Sequence, residues 1–112
     1  MKKLFALPTK SGQLCQHFGH CEKFAIIETE NGKFVNEEML TPPVHEPGLY
    51  PRLLAEKGIE VIIAGGMGQK AQDLFKNNNI EVNYGVEADT PRNLVEKYLA
   101  DSLKTGANLC DH

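Results

Sequence analysis

The residues from 60 to 64 have the sequence Glu-Val-Ile-Ile-Ala, an apolar and β-branched run without polar alternation. A strand with this pattern is covered on both faces, as the central strands of parallel sheets are. Gly65-Gly66-Met67-Gly68 follows it and leads into a helix that we predict over about residues 69–76. A strand that passes through a glycine turn into a helix is typical of a βαβ unit, so the sequence indicates an α/β fold.

The other elements follow from periodicity and from turn residues. Residues 3–7 form an apolar strand that we expect Pro8 to end. Asn31-Gly32 predicts a type I′ hairpin, and Asp89 or Thr90 is expected to cap a helix with Pro91 in its first turn. The predicted order is β-β-β-α-β-α-β-α, with strands at residues 3–7, 24–29, 33–40, 60–64 and 80–84, and helices at 49–57, 69–76 and from about 90 onward. This order predicts a five-stranded mixed sheet with helices on its faces.

The length of 112 residues suits one domain with a single core, which we place at residues 1–104. Residues 105–112 are expected to be a flexible tail. A net charge of −3 without a cluster of lysines and arginines argues against nucleic-acid binding. No apolar run approaches the roughly 20 residues of a membrane span, and the apolar stretch before Pro8 is too short for a signal peptide. We therefore expect a cytoplasmic protein that does not bind membranes.

Potential metal ligands are concentrated in the segment Cys15-Gln16-His17-Phe18-Gly19-His20-Cys21. Thiolates and imidazoles suit zinc, copper and iron–sulfur centres, so Cys15, His17, His20 and Cys21 are candidate ligands. Their spacing is not that of a zinc finger, and adjacent side chains of an extended backbone point in different directions, so we expect two or three of the four to bind one centre. The alternative is structural: Cys21 is a small buried residue, Phe18 belongs to the core, and the histidines are exposed.

The predicted tail carries a second thiol and imidazole, Cys110 and His112. Chain termini are usually disordered, which is the simplest interpretation of this pair. A flexible arm with two soft ligands would also be able to close over a metal that the loop holds. The chain has three cysteines, which cannot all pair, and a reducing cytoplasm keeps thiols reduced. Metal, redox or inert roles are therefore favoured over a disulfide framework.

The glycine turn offers a different kind of binding group. Gly65, Gly66, Met67 and Gly68 precede a predicted helix, and backbone N–H groups at a helix start attract anions. The turn matches neither the dinucleotide nor the Walker pattern, and close packing of helix on sheet would also favour glycine here. If the first and fourth predicted strands are parallel neighbours, residues 9–21 and 65–68 emerge side by side, where open α/β sheets bind ligands.

Taken together, these segments resemble the dinitrogenase iron–molybdenum cofactor biosynthesis family, which includes NifX, the C-terminal domain of NifB and the core domain of NafY. The resemblance extends over roughly residues 1–103 and is carried by residues 3–7, Ser11-Gly12, His17-Phe18-Gly19, Phe24, the hairpin and Ala64-Gly65-Gly66-Met67-Gly68. Cys15, His20, Cys21 and the Cys110/His112 pair go beyond the minimal family pattern. They are similar to the cysteine-rich stand-alone subgroup of that family.

The resemblance implies a ribonuclease H-like fold, although residues 3–7 lack the metal-binding carboxylate of ribonuclease H enzymes. It also implies a non-enzymatic protein that carries an iron–sulfur or iron–molybdenum-type cluster on His17, with zinc as a less expected occupant. The expected partners are cluster-biosynthesis proteins or ATPases, and the expected state is a monomer or a weak homodimer. The alternative is a small sensor or adaptor that binds a metal ion or an anion and acts through a protein partner. The sequence places no general base or nucleophile, so an enzyme is the least supported class.

Overall fold

The computed structural model describes residues 2–15, 22–41 and 49–103, without the side chains of residues 49–51. Its strands are β1 (Lys2–Lys10), β2 (Gln13–Leu14), β3 (Lys23–Glu30), β4 (Lys33–Leu40), β5 (Val61–Ile63) and β6 (Glu81–Asn83). Its helices are α1 (Leu49–Glu56), α2 (Gln69–Asn77) and α3 (Pro91–Leu99). The predicted α/β class is confirmed, and the predicted number of five strands is wrong.

The strands form one mixed sheet in the order β4-β3-β1-β5-β6, and β2 pairs with the end of β1. Strand β3 is antiparallel to both β1 and β4, whereas β1, β5 and β6 are parallel neighbours. The register pairs Phe5 with Val61 and Ala6 with Ile62. The predicted parallel pairing of the first and fourth strands, now β1 and β5, is therefore confirmed. This pairing was the condition for residues 9–21 and 65–68 to emerge side by side.

Strand β1 continues through Pro8 to Lys10, so the prediction that this proline ends the strand is wrong. The C=O of Pro8 accepts a hydrogen bond of 2.9 Å from the N–H of Cys15. Because the N and C=O of one strand residue point to the same side, the missing N–H of Pro8 faces Cys15 and not β3. The ladder with β3 therefore loses no bond and includes the pair Pro8 and Phe24.

The sixth strand arises from the turn that follows β1. Ser11 and Gly12 have φ angles of 57° and 82°, and they return the chain as a tight hairpin in which Lys10 pairs with Gln13. Strand β2 contains two residues, which is too short for any hydrophobic period to be visible in the sequence. The short return strand explains why five strands were predicted where six are present.

The hairpin of β3 and β4 has the predicted type I′ turn, since Asn31 and Gly32 have φ angles of 54° and 81°. The pairing shifts between Glu28 and Thr29, and this β-bulge leaves Val35 as an extra residue in β4. Strand β4 is the outermost strand beside β3, and most of its side chains are exposed. One long edge of the sheet is therefore open to solvent along the part of the chain that the structure describes.

Alternate residues of the central strands face two separate cores. The first core lies under α1 and α2 and comprises Ala6, Phe24, Ile26, Leu54, Ile59, Ile62, Ala64, Met67, Phe75 and Ile80. The second core lies under α3 and comprises Phe5, Leu7, Leu14, Ala25, Ile27, Val61, Ile63, Val86, Leu94 and Val95. Both faces of β1 and β5 are thus covered, which accounts for the unalternating apolar run in β5.

The helices are short. Both α2 and α3 have nine residues, and within the described ranges no helix has the length and apolar character that a membrane span requires. The predicted start of α3 is confirmed: the side chain of Thr90 accepts a hydrogen bond of 3.4 Å from the N–H of Asn93, and Pro91 occupies the first turn. Helix α3 therefore begins with a side-chain cap.

Candidate functional site

The carboxyl ends of β1, β5 and β6 meet at one end of the sheet, because these strands are parallel neighbours. The residues that follow them are 11–15 after β1, 64–68 after β5 and 84–90 after β6. We call these three stretches the carboxyl-edge segments. Open α/β sheets bind their ligands in this position, so the carboxyl-edge segments form the candidate site.

Main-chain hydrogen bonds connect the three carboxyl-edge segments. The N–H of Gly85 donates to the C=O of Gly65 at 2.7 Å, and the N–H of Leu14 donates to the C=O of Asp89 at 3.0 Å. Gly85 has a φ of 73°, a conformation that favours glycine. The segments after β1, β5 and β6 are therefore one bonded unit.

Residues 84–90 were not assigned to the site from the sequence. The predicted βαβ unit contained the signal, because two neighbouring strands connected through one helix, here residues 60–64 and 80–84, are parallel. Their carboxyl ends then share one edge, and the residues after the second strand join the site.

The helices that begin at this edge differ at their starts. At α3, the Asp89 carboxylate accepts hydrogen bonds from the Asn93 side chain at 3.1 Å and from the Thr90 N–H at 2.7 Å. The Asn93 and Thr90 hydrogen bonds, together with nearby Lys97, lower the pKa of Asp89. The protein's own acceptors thus occupy the start of α3.

At α2 the N-cap residue is Gly68, and within residues 2–15, 22–41 and 49–103 no side chain caps the helix. A Cβ atom on Gly68 would meet no atom of the described residues within 4 Å. Its φ of −68° is also accessible to any residue. Neither close packing nor backbone conformation therefore requires glycine here, which removes the packing explanation at this position. Among the residues that the structure describes, none supplies a side-chain acceptor at the start of α2.

The turn that precedes Gly68 is firmly held. Met67 is fully buried in the first core, and its C=O accepts a hydrogen bond of 2.9 Å from Nε2 of Gln72, whose side chain is also buried. Gly65 and Gly66 are buried, and Gly68 is partly exposed. The first N–H groups of α2 consequently have a fixed direction at a partly exposed point of the carboxyl edge.

Cys15 is the one predicted ligand of the cysteine and histidine loop that the structure describes. Its N–H bonds to Pro8, which lies two residues beyond the Ala6 and Ile62 pair of β1 and β5. Cys15 therefore lies just past the carboxyl end of β5, where the chain enters the turn at Gly65. Its side chain is 5% exposed, so binding of a ligand by its sulfur requires that this side chain become accessible.

The other predicted ligands lie outside the described residues, so their roles stay predictions: His17, His20, Cys21, Cys110 and His112. The boundary predicted at residue 104 lies outside them as well. The described residues that flank 16–21 are both bonded to the end of β1, Cys15 to Pro8 and Glu22 to Thr9 at 2.8 Å. Over residues 2–15, 22–41 and 49–103, no group of three or more His, Cys, Asp or Glu side chains is arranged to hold a metal ion.

Known proteins share both sequence and fold with this chain. The uncharacterized protein MJ0580 of Methanocaldococcus jannaschii is 39% identical over 82 residues, which cover 69% of this chain and 70% of that protein. The crystal structure of PH0822 matches with a TM-score of 0.85 and 22% identity, over 94% of this chain and 96% of that chain. The apo form of the orange protein from Desulfovibrio gigas matches with a TM-score of 0.74 and 22% identity, over 95% and 94% of the two chains.

At these identities the two solved structures establish likeness of fold. The family assignment has a separate basis in the sequence. The profile described as dinitrogenase iron-molybdenum cofactor matches residues 1–101, nearly the whole chain. The resemblance drawn from the His-Phe-Gly and Gly-Gly segments is confirmed, and the chain belongs to the dinitrogenase iron-molybdenum cofactor family.

Proposed function

We propose that this protein is a non-enzymatic carrier of an anionic metal–sulfur cluster, of the iron–sulfur or iron–molybdenum type. Membership of the family associates the chain with the biosynthesis or binding of the iron–molybdenum cofactor. The observation that carries the finer proposal is the uncapped start of α2 at Gly68, in the bonded unit that also holds Cys15. An anionic cargo would accept hydrogen bonds from the first N–H groups of this helix, which no described side chain caps.

The proposal gives the protein two kinds of contact with its cargo. His17 is the anchoring ligand, and a thiolate of Cys15 or Cys21 assists it, because soft ligands suit metal–sulfur centres. The backbone around Gly65, Gly66, Met67 and Gly68 offsets the negative charge of the cluster. His20 is a further candidate ligand of the loop, and Cys110 and His112 are candidate removable ligands of the tail.

Several features support carriage over permanent storage. Cys15 is buried, so a cargo bound through its sulfur requires a rearrangement that release would reverse. A contact made by backbone N–H groups involves no metal–ligand bond and is weakened by salt. In this proposal, cluster-biosynthesis proteins or ATPases load and unload the carrier in the cytoplasm.

The antiparallel β4-β3-β1 and parallel β1-β5-β6 halves of the sheet also support the ribonuclease H-like assignment.

The test is anaerobic reconstitution with iron, sulfide and molybdate, followed by absorption spectra and metal analysis. We expect the wild type to show charge-transfer absorption with stoichiometric metal, and His17→Ala to bind less. The matched control is His45→Ala, which removes a histidine from the proline-rich residues 42–47 and should bind as the wild type does. Loss of metal in both variants alike would contradict the role of His17.

A colourless protein with no cluster in any variant would overturn the carrier proposal. A single bound zinc ion in that colourless protein would instead favour the sensor or adaptor, in which a metal ion or small anion changes the binding of a protein partner. Zinc content is therefore measured in the same samples.

A further inference from the structure

We propose that β4 forms a weak, two-fold symmetric homodimer, in which its outer edge pairs antiparallel with β4 of a second copy. In the sheet, β4 is separated from β5 and β6 by β3 and β1. None of the candidate metal ligands belongs to β4, so the association does not depend on the proposed carriage of a cluster. The exposure of β4, the direction of its backbone groups and the complementarity of its sequence to itself point to this pairing.

The exposed hydrophobic side chains are concentrated on this strand. Among the described side chains, Val35 and Met39 are the large hydrophobic residues that are exposed, at 54% and 48%. Both belong to β4, which pairs with β3 on one side and with no described strand on the other. An exposed edge strand with hydrophobic side chains is a template for pairing with another strand.

Along the described part of the chain, the outer edge of β4 has unpaired backbone groups at Glu37 and Met39. Phe24 directs its backbone groups toward β4, because its partner Pro8 bonds on the other side of β1. Leu40 is the β4 partner of Phe24, so its N–H and C=O groups point back toward β3. Successive residues of a strand direct these groups to opposite sides. The groups of Glu37 and Met39 accordingly point outward, where an added strand would bond.

One register makes β4 complementary to itself. A two-fold axis at Glu37 brings Met39 of each copy to the bulge at Val35 of the other, and it does so twice. Side chains at facing positions of antiparallel strands contact each other, so this dimer would cover both exposed hydrophobic residues in each copy. The same axis places Asn36 opposite Glu38 of the second copy, which opposes no like charges.

The axis also brings the two Glu37 carboxylates near each other, and each already has a counterion. Nε of Arg92 lies 3.0 Å from Oε1 of Glu37, and its guanidinium lies 5.2 Å from the ring centroid of Phe34. This pairing offsets the repulsion between the two glutamates. The bulge at Val35 and the nearby charge of Lys33 blunt one end of the strand, so the pairing is short and the dimer is weak.

Antiparallel pairing places the carboxyl edges of the two copies at opposite ends of the joined sheet. Both candidate sites would therefore remain accessible in the dimer. Loading of one copy does not require the other, which makes association and cargo binding separable in experiments.

The test is sedimentation velocity over a range of protein concentrations, with two variants of the same strand. Met39→Lys and Asn36→Lys each change the net charge from −3 to −2, and each replaces an exposed β4 residue. We expect the mean mass of the wild type to rise from monomer toward dimer with concentration. Met39→Lys should stay monomeric over that range, because a charge replaces one half of each hydrophobic pair.

Asn36→Lys is the control for charge and for β4 stability. It should keep or strengthen association, because the new lysine faces Glu38 of the second copy. Circular dichroism checks that both variants keep the fold. A monomeric wild type at every concentration, association that persists in Met39→Lys, or loss of association in Asn36→Lys would each overturn the proposal.

Discussion

Tyr98 connects the second core to polar residues at the edge of the sheet. Its ring packs edge-on against Phe5 with 5.1 Å between centroids, and its hydroxyl donates a hydrogen bond of 2.7 Å to Oε2 of Glu81. Partial burial, this hydrogen bond and the negative charges of Glu81 and Glu60 raise the pKa of Tyr98 to about 12. The folded protein therefore holds the phenolic proton more tightly than the unfolded chain does, whose pKa is near 10.0.

A raised pKa means that the stabilisation is complete below the unfolded value and is lost as pH rises through the folded value. We expect the free energy of unfolding of the wild type to fall from pH 10.0 to about 12 more steeply than that of Tyr98→Phe. At neutral pH, Tyr98→Phe should lose about 1 kcal/mol with its hydrogen bond. Denaturant unfolding followed by circular dichroism measures both quantities.

The control for this prediction is Tyr84→Phe, since Tyr84 is also partly buried and packs against the first core. This variant removes a phenol and leaves the hydrogen bond between Tyr98 and Glu81 in place, so its difference from Tyr98→Phe isolates the contribution of Tyr98. Equal slopes for wild type and Tyr98→Phe would show that the phenol of Tyr98 is not the group responsible.

At the same scale, the sequence predicted that two segments of the candidate site lie close together, but it did not predict the environment of their residues. The parallel pairing of β1 and β5 brings Cys15 and Gly65 to one edge, as the sequence suggested. The burial of Cys15 was not predictable, because the neighbouring Leu14 packs with residues from distant parts of the chain. The open start of α2 required knowledge of the space around Gly68.

At the scale of elements, the sequence predicted a turn or a helix start correctly where adjacent residues determine it. Asn31-Gly32 determines its own hairpin turn, and Thr90 with Pro91 determines the start of α3. Strand β1 differed because its length depends on which neighbour faces the missing N–H of Pro8, and that neighbour is supplied by β2. Sequence periodicity therefore identified the long elements and missed the short return strand.

The contrast between the starts of α2 and α3 leads to a prediction about α2. Gly68→Asp places a carboxylate where it accepts the first N–H groups of the helix. We expect the free energy of unfolding to rise by a few tenths of a kcal/mol, because the carboxylate accepts hydrogen bonds from the helix N–H groups. We expect the uptake of an anionic cluster to fall, because the carboxylate occupies those N–H groups and repels the anion. Chemical unfolding and metal analysis after reconstitution measure the two effects.

The matched variant is Gly68→Ala, which adds a methyl group into open space and supplies no acceptor. It should be less stable than the wild type, because alanine is a poor N-cap, and should still take up the cluster. Stability and uptake thus change in opposite directions across the pair. Normal uptake by Gly68→Asp would exclude the start of α2 from the site.

At the scale of the whole molecule, the segments of the candidate site are held in place by residues of both cores. Met67, in the turn before α2, belongs to the first core, and Leu14, next to Cys15, belongs to the second. Each core therefore anchors a different carboxyl-edge segment, and the strands β1 and β5 separate them. If the two cores unfold as one unit, the site is lost in the same step as the fold.

Substitutions at Ile62 and Ile63 test whether the two cores unfold together. Both residues are fully buried, and Ile62 faces the first core whereas Ile63 faces the second. We expect Ile62→Val and Ile63→Val each to lower the free energy of unfolding by about 0.5–1.5 kcal/mol. Since the sheet separates the two side chains, the double variant should lose the sum to within about 0.5 kcal/mol. Far-ultraviolet circular dichroism and tyrosine fluorescence should report one coincident transition in all three variants. Two separate transitions, with each variant shifting only one of them, would mean that the cores unfold independently and that half of the site survives loss of the other half.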